Sequence, residues 1–167
     1  MVKFSAALAA VVVFGASAFA QTKAGPGKGT VDQFKDAYAV ATANPPSGQL
    51  VNSRVENKSD GSVVMGFYMY NREQRLLFER EVDLKSGKVV KDTSKGIEKV
   101  NKDMLDLLMK KATGKAKLPE GRLMEIASKL LKDKEFSEMK YEKVGDDLVL
   151  TFGDLQINAE TGKEIKK

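Results

Sequence analysis

Val82-Asp83-Leu84-Lys85-Ser86-Gly87-Lys88-Val89-Val90-Lys91 is echoed 75 residues later by Ile157-Asn158-Ala159-Glu160-Thr161-Gly162-Lys163-Glu164-Ile165-Lys166. Each copy reads as a strand, a glycine-mediated turn and a returning strand. A unit this short can arise twice by chance. The elements that precede each copy therefore decide whether the chain is a repeat.

Upstream of the first copy, Thr30 opens a capping box with Gln33, and Val31, Phe34, Tyr38 and Ala41 follow at helical spacing. Asn44-Pro45-Pro46-Ser47-Gly48 stops that helix. Period-two alternation then predicts strands through Val51, Ser53 and Val55, through Val63, Met65, Phe67 and Met69, and through Leu76, Phe78, Arg80 and Val82. Ser59-Asp60-Gly61 and Asn71-Arg72-Glu73-Gln74 are the turns between them, and a short strand, Lys88 to Lys91, closes the half.

The second half keeps this order and adds a helix. Ile97, Val100, Met104, Leu107, Leu108 and Ala112 form an apolar stripe that Thr113-Gly114 terminates. Pro119 fits the first turn of the next helix, whose stripe is Leu123, Ile126, Ala127, Leu130 and Leu131. Strands follow at Phe136 to Lys143, Leu148 to Phe152 and Leu155 to Ala159. The expected fold is α+β: two small repeats, each a helix plus an antiparallel sheet of three to four strands, with an extra linking helix. The divisions are a signal peptide at 1–20, a flexible leader at 21–29, a first repeat at 30–92, a basic linker and helix at 93–117, and a second repeat at 118–167.

An amphipathic helix, a glycine that starts an extended segment, a polar hairpin and a closing strand with Asp or Asn before Ser/Thr-Gly-Lys resemble PepSY and PepSY-like domains. The resemblance covers Thr30 to Asp92 and, more loosely, Leu118 to Lys167. The second half departs from the pattern in its shorter strands and in Asn158, which stands where the first half has Asp83. The resemblance implies a small exported module, of the kind found in propeptides of thermolysin-like metallopeptidases and as stand-alone periplasmic or cell-surface proteins. A peptidase is therefore the partner class that it suggests.

Met1 to Ala20 has one charge, Lys3, an apolar run from Phe4 to Phe14, and Ala18-Phe19-Ala20 at the cleavage positions. It reads as a cleaved secretory signal, which places the chain in the bacterial periplasm or outside the cell. After Ala20 no apolar stretch approaches the ~20 residues that span a bilayer. The 167 residues contain no Cys and no His. Thiol catalysis, Ser-His-Asp triads, HExxH zinc helices and His-ligated haem are thereby excluded, and no cofactor, metal or enzymatic role is expected.

Three local patterns fail on inspection. Gly25-Pro26-Gly27-Lys28-Gly29-Thr30 has Gly29 between Lys and hydroxyl and no strand before it, unlike a phosphate-binding loop. Ser137-Glu138-Met139-Lys140 has Ser-x-x-Lys spacing but lies in a predicted strand, where positions three apart face opposite ways. Asp146-Asp147 reads as a turn without calcium-loop spacing.

Two surfaces remain. If Met65, Phe67 and Met69 face the helix, Tyr68 and Tyr70 face away from it with Leu77, as a contact for a protein partner. Alternatively these tyrosines are cross-strand pairs, or the second repeat covers them. The other surface is basic: eight lysines against four acids lie between Lys91 and Lys117, including Lys95, Lys99, Lys102, Lys110 and Lys111. They form either a patch for an anionic surface or a solvated helix laced by i, i+4 pairs. Five arginines among 28 basic residues and no Trp argue against nucleic acid. The functional expectation is an exported, non-catalytic protein-binding module. The alternative is an envelope-associated structural or ligand-carrying protein that contacts anionic surfaces through the basic segment.

Overall fold

The computed structural model describes residues 24–43, 48–71, 73–96, 106 and 117–166. Its elements are β1 (Gly25–Pro26), α1 (Val31–Thr42), β2 (Gln49–Asn57), β3 (Val63–Asn71), β4 (Leu76–Asp83), β5 (Lys88–Gly96), α2 (Glu120–Leu131), β6 (Glu138–Val144), β7 (Asp147–Phe152) and β8 (Leu155–Asn158). The signal segment and the expected linking helix lie outside the described residues, as do Lys99, Lys102, Lys110 and Lys111.

Helix α1 begins as its sequence requires. The Gln33 amide donates to Thr30 Oγ1 (3.3 Å) and the Thr30 amide to Gln33 Oε1 (2.9 Å), so two otherwise unpaired donors are satisfied reciprocally. Its buried face is Val31, Phe34, Ala37 and Ala41. Pro119 precedes α2, whose buried face is Leu123, Met124, Ala127 and Leu131.

Every strand pairing is antiparallel, and the strands form one sheet in the order β5-β4-β3-β2-β6-β7-β8, with β1 beside β2. This corrects the expectation of two small sheets. The first strands of the two halves, β2 and β6, are neighbours, with Asn52 opposite Lys140, Ser53 opposite Met139 and Arg54 opposite Glu138. Two separate sheets would each leave that strand's edge unpaired and each enclose a core near the small-domain limit. Joining them removes both edges and gives both helices a common core.

Most of that core lies on one sheet face. Phe34 of α1 meets Phe67 of β3 at 5.4 Å between ring centroids, and also Phe136 (6.4 Å) and Phe152 (6.3 Å) of the second half. Met65, Met69, Leu123, Met139, Leu150 and Ile157 are fully buried around them. Arg80 of β4 reaches the end of α1, where its Nη1 donates to the Ala41 carbonyl (2.6 Å) and its Nε to Asp92 of β5 (3.1 Å). A buried guanidinium thus satisfies a carbonyl that the helix end leaves free.

The echoed stretches adopt one conformation. The Gly87 amide donates to the Asp83 carbonyl and the Gly162 amide to the Asn158 carbonyl, both at 2.8 Å. The Ser86 amide donates to Asp83 Oδ1 (2.7 Å) and the Thr161 amide to Asn158 Oδ1 (2.9 Å). Gly87 (φ 65°) and Gly162 (φ 71°) take the left-handed backbone that closes each turn. Asn replaces Asp without loss because the turn uses only an acceptor oxygen.

Two element boundaries differ from the sequence reading. β5 runs on from Lys91 to Gly96, since Thr93 pairs with Glu79 and Lys95 with Leu77. The leader is strand-paired rather than unstructured from Gly25: Gly25 and Pro26 lie opposite Asn57 and Glu56, and Gly29 bridges Phe136.

Candidate functional site

The two described helices contribute to the same core, so the opposite sheet face carries none of the described helices. Its composition follows from the register. Phe67 stands opposite Arg80 and Met69 opposite Phe78 on the helix side; Tyr68 opposite Glu79 and Tyr70 opposite Leu77 therefore point the other way. On the same side, Asn52 lies opposite both Tyr68 and Lys140, Arg54 opposite Glu138, and Lys91 opposite Glu81.

These residues form a paired lattice. The Tyr68 hydroxyl donates to Glu79 Oε1 (3.2 Å), and Lys91 Nζ binds the same oxygen at 2.8 Å and Glu81 Oε1 at 3.1 Å. Lys58 Nζ joins the other Glu81 oxygen at 3.0 Å and Glu56 at 3.0 Å. Arg54 Nε meets Glu138 Oε1 at 3.0 Å, and Lys140 meets Glu142 at 2.6 Å. Hydrogen bonds to Glu79 and Glu81 hold Lys91 protonated well beyond the ordinary lysine range. Burial, and then the Glu79 charge, raise the Tyr68 phenol, so that Tyr68 is a neutral donor. Beside Arg54 and Glu138 the face dips into a groove of ≈ 590 Å3, walled by Gly25, Pro26, Glu56 and Lys58.

The structure separates the three residues that the sequence grouped. Tyr68 is half-buried and sits within the lattice. Tyr70 is 8% exposed and belongs to the core cluster, with Leu77 packed against it. β3 is a central strand, and Tyr70 is flanked by Gln49 on one side and Leu77 on the other, which leaves little of its ring to a partner. Of the basic candidates, Lys95 stands in β5 opposite Leu77. Arg54 and Glu138 were not singled out in the sequence, because their pairing depends on β2 lying beside β6.

A second polar cluster was also missed. Glu120, the first residue of α2, accepts from Gln49 Nε2 (2.9 Å) and from the Tyr141 hydroxyl (3.0 Å), and its other oxygen pairs with Lys117. Lys117 Nζ lies 4.9 Å from the Tyr141 ring centroid. Burial pulls Lys117 below the usual lysine range, against the pull of Glu120. Burial and the Glu120 charge push Tyr38 up to about 12 and Tyr141 far upward. The Lys117 and Tyr141 side chains are enclosed, which suits a structural tie better than a reactive centre. Among the described residues there is no cluster of three or more acids that could hold a metal ion.

No family model matches the chain, and no curated protein does. One solved structure with some likeness is a crystal structure named as a "putative lipoprotein" from Clostridium difficile 630. It is 14% identical, with 81% of this chain and 87% of that chain covered, at a TM-score of 0.38. At that score nothing is carried over from it. Among the described residues no helix is long and apolar enough to cross a membrane.

Proposed function

We propose that the chain is an exported, non-catalytic protein-binding module that engages an extracytoplasmic protein through the sheet face around Tyr68. The supporting observation is the Tyr68–Glu79–Lys91–Glu81 lattice, which holds a half-buried phenol among fixed ion pairs. Tyr offers apolar area with a polar tip, and a side chain already held by a hydrogen bond loses little entropy when a partner closes over it. Arg54, exposed beside the groove, is the second anchor. Export rests on the character of Met1 to Ala20, and the resemblance to PepSY domains makes a secreted peptidase the first partner to test.

The test is affinity capture. Residues 21–167 are immobilised, an envelope extract of the source cell is passed over them, and retained proteins are identified by mass spectrometry. One stoichiometric protein is expected, lost with Tyr68→Ala and Arg54→Ala together while far-UV circular dichroism is unchanged. Undiminished capture by that variant would sink the reading. Retention of only lipid or acidic polymer, released by salt, would replace it with the envelope-surface alternative.

A further inference from the structure

We infer that Gly66, in the middle of β3, is a positioning residue for the Tyr68 face: its missing side chain lets the Tyr68 ring and the Glu81 stem close over the strand, which fixes the phenol where a partner meets it. The inference rests on the protein-binding reading above and adds to it a residue that need not touch the partner.

The fold itself gives no reason for glycine here. β3 lies inside the sheet, between β2 and β4, and Gly66 is buried. Glycine weakens such a strand, because it loses the most backbone freedom on folding and packs nothing. Two reasons for glycine that hold elsewhere in the chain do not hold at this position. Gly162 has the left-handed backbone (φ 71°), and a Cβ on Gly48 would stand 2.7 Å from the Tyr70 backbone. Gly66 is not left-handed, and the nearest described atoms to a Cβ built on it are the Arg54 carbonyl oxygen and Glu81 Cγ at 3.8 Å and Tyr68 Cε2 at 4.0 Å. Those are ordinary contacts, so alanine would fit.

The same three atoms belong to residues that build the face. Gly66 stands opposite Arg54 of β2 and Glu81 of β4, and Tyr68 follows it by two on the same side. Lys58 and Lys91 pin Glu81, and the Tyr68 hydroxyl donates to Glu79. A methyl at position 66 fills the space among them. A branched side chain exceeds it, since each γ-carbon reaches about 1.5 Å further toward neighbours already in contact. Glu81 is held by two ammonium groups, so the half-buried Tyr68 ring is the part that yields, and its hydroxyl leaves Glu79. A costly residue that the backbone does not require is thus explained by the side chain it seats.

The experiment compares Gly66→Ala and Gly66→Val in residues 21–167. Gly66→Ala should lower the equilibrium constant for unfolding in urea about threefold. Titration of Tyr68, followed by NMR of 13C-labelled tyrosine, needs no partner. The phenol should stay raised in Gly66→Ala and return toward the ordinary tyrosine range in Gly66→Val, as burial and the Glu79 contact are lost. Capture from the extract should persist with Gly66→Ala and fall about tenfold with Gly66→Val. Gly66→Ser, one atom smaller, carries the same test if Gly66→Val does not fold. A Gly66→Ala protein that is less stable than wild type, or that loses capture, would overturn the proposal. So would a Gly66→Val protein whose Tyr68 titration is unmoved, or one whose titration moves while capture holds. If Gly66→Val is silent but Tyr68→Ala with Arg54→Ala abolishes capture, the function above stands without Gly66. If that double variant captures undiminished while Gly66→Val shifts the titration, Gly66 seats Tyr68 as described and the function falls.

Discussion

Gln49, the first residue of β2, donates from Nε2 to Glu120, the first residue of α2, at 2.9 Å across 71 residues of sequence. The same oxygen takes the Tyr141 hydroxyl, and the other oxygen takes Lys117, whose side chain is 4% exposed. Glu120 therefore ties a strand of the first half to a helix and a strand of the second. Glu120→Ala would leave a buried ammonium without its carboxylate and should cost about 3–5 kcal/mol in urea unfolding. Lys117→Met combined with Glu120→Gln removes both charges and should recover most of that loss. A Glu120→Ala protein within about 1 kcal/mol of wild type would show that the cluster is not a tie.

The tyrosines set the alkaline limit. Tyr38 is raised from 10.0 to about 12, and Tyr68 and Tyr141 are raised as well. Each keeps its proton longer folded than unfolded. Their contribution is thus fully present below the unfolded value of 10.0 and is lost as pH climbs from there through the folded values. Lys117, whose folded value is lowered, works in the opposite sense and at lower pH: its contribution is present above 10.5 and is lost as pH falls from there through the folded value. Stability should fall above about pH 10, with tyrosinate absorbance rising in step with loss of circular dichroism. Tyr38→Phe should flatten the slope. Tyr38 ionising freely in the folded protein would contradict the assignment.

Ser53 lies fully buried on the helix side of β2, opposite both Phe67 and Met139, and its Oγ has no hydrogen-bond partner among the described residues. A hydroxyl removed from water without compensation costs about 1–3 kcal/mol. Ser53→Ala keeps the small volume that the crossing of β2 and β6 allows and removes that penalty. It should stabilise the protein by about 1 kcal/mol in the same urea assay. A clear loss instead would mean that the hydroxyl is satisfied in solution.

Local elements were readable because their signals are local. The Thr30–Gln33 capping box, the strand alternation and the Gly87 and Gly162 turns depend only on residues close in sequence, and each formed. The merging of two sheets into one was not readable, because nothing within β2 or β6 states which edge lies beside which. Arg54, Glu138 and Glu120 became partners only through that merger. Tyr70 misled for a related reason. Alternation gives the side of the sheet to which a residue points, whereas burial there depends on neighbours from other strands.

The join between the halves is narrow, and the leader reinforces it. β2 shares three residue pairs with β6 but eight with β3. Beyond Arg54 the leader takes up the remaining edge: the Gly27 amide donates to the Val55 carbonyl (2.8 Å), and Gly29 and Phe136 exchange two bonds of 2.9 Å. Val55 and Phe136, beside these bonds, are 1% and 4% exposed. A chain that starts at Thr30 loses the β1–β2 pairing and, besides it, three backbone hydrogen bonds, each worth about 1 kcal/mol net, and uncovers apolar surface at both residues. It should be less stable than a chain starting at Ala24 by about 3–4 kcal/mol, with the faster amide exchange concentrated at Val55 and residues 136–139. Equal stability of the two would mean that β2 and β6 hold the halves together unaided, and that the leader merely lies along them.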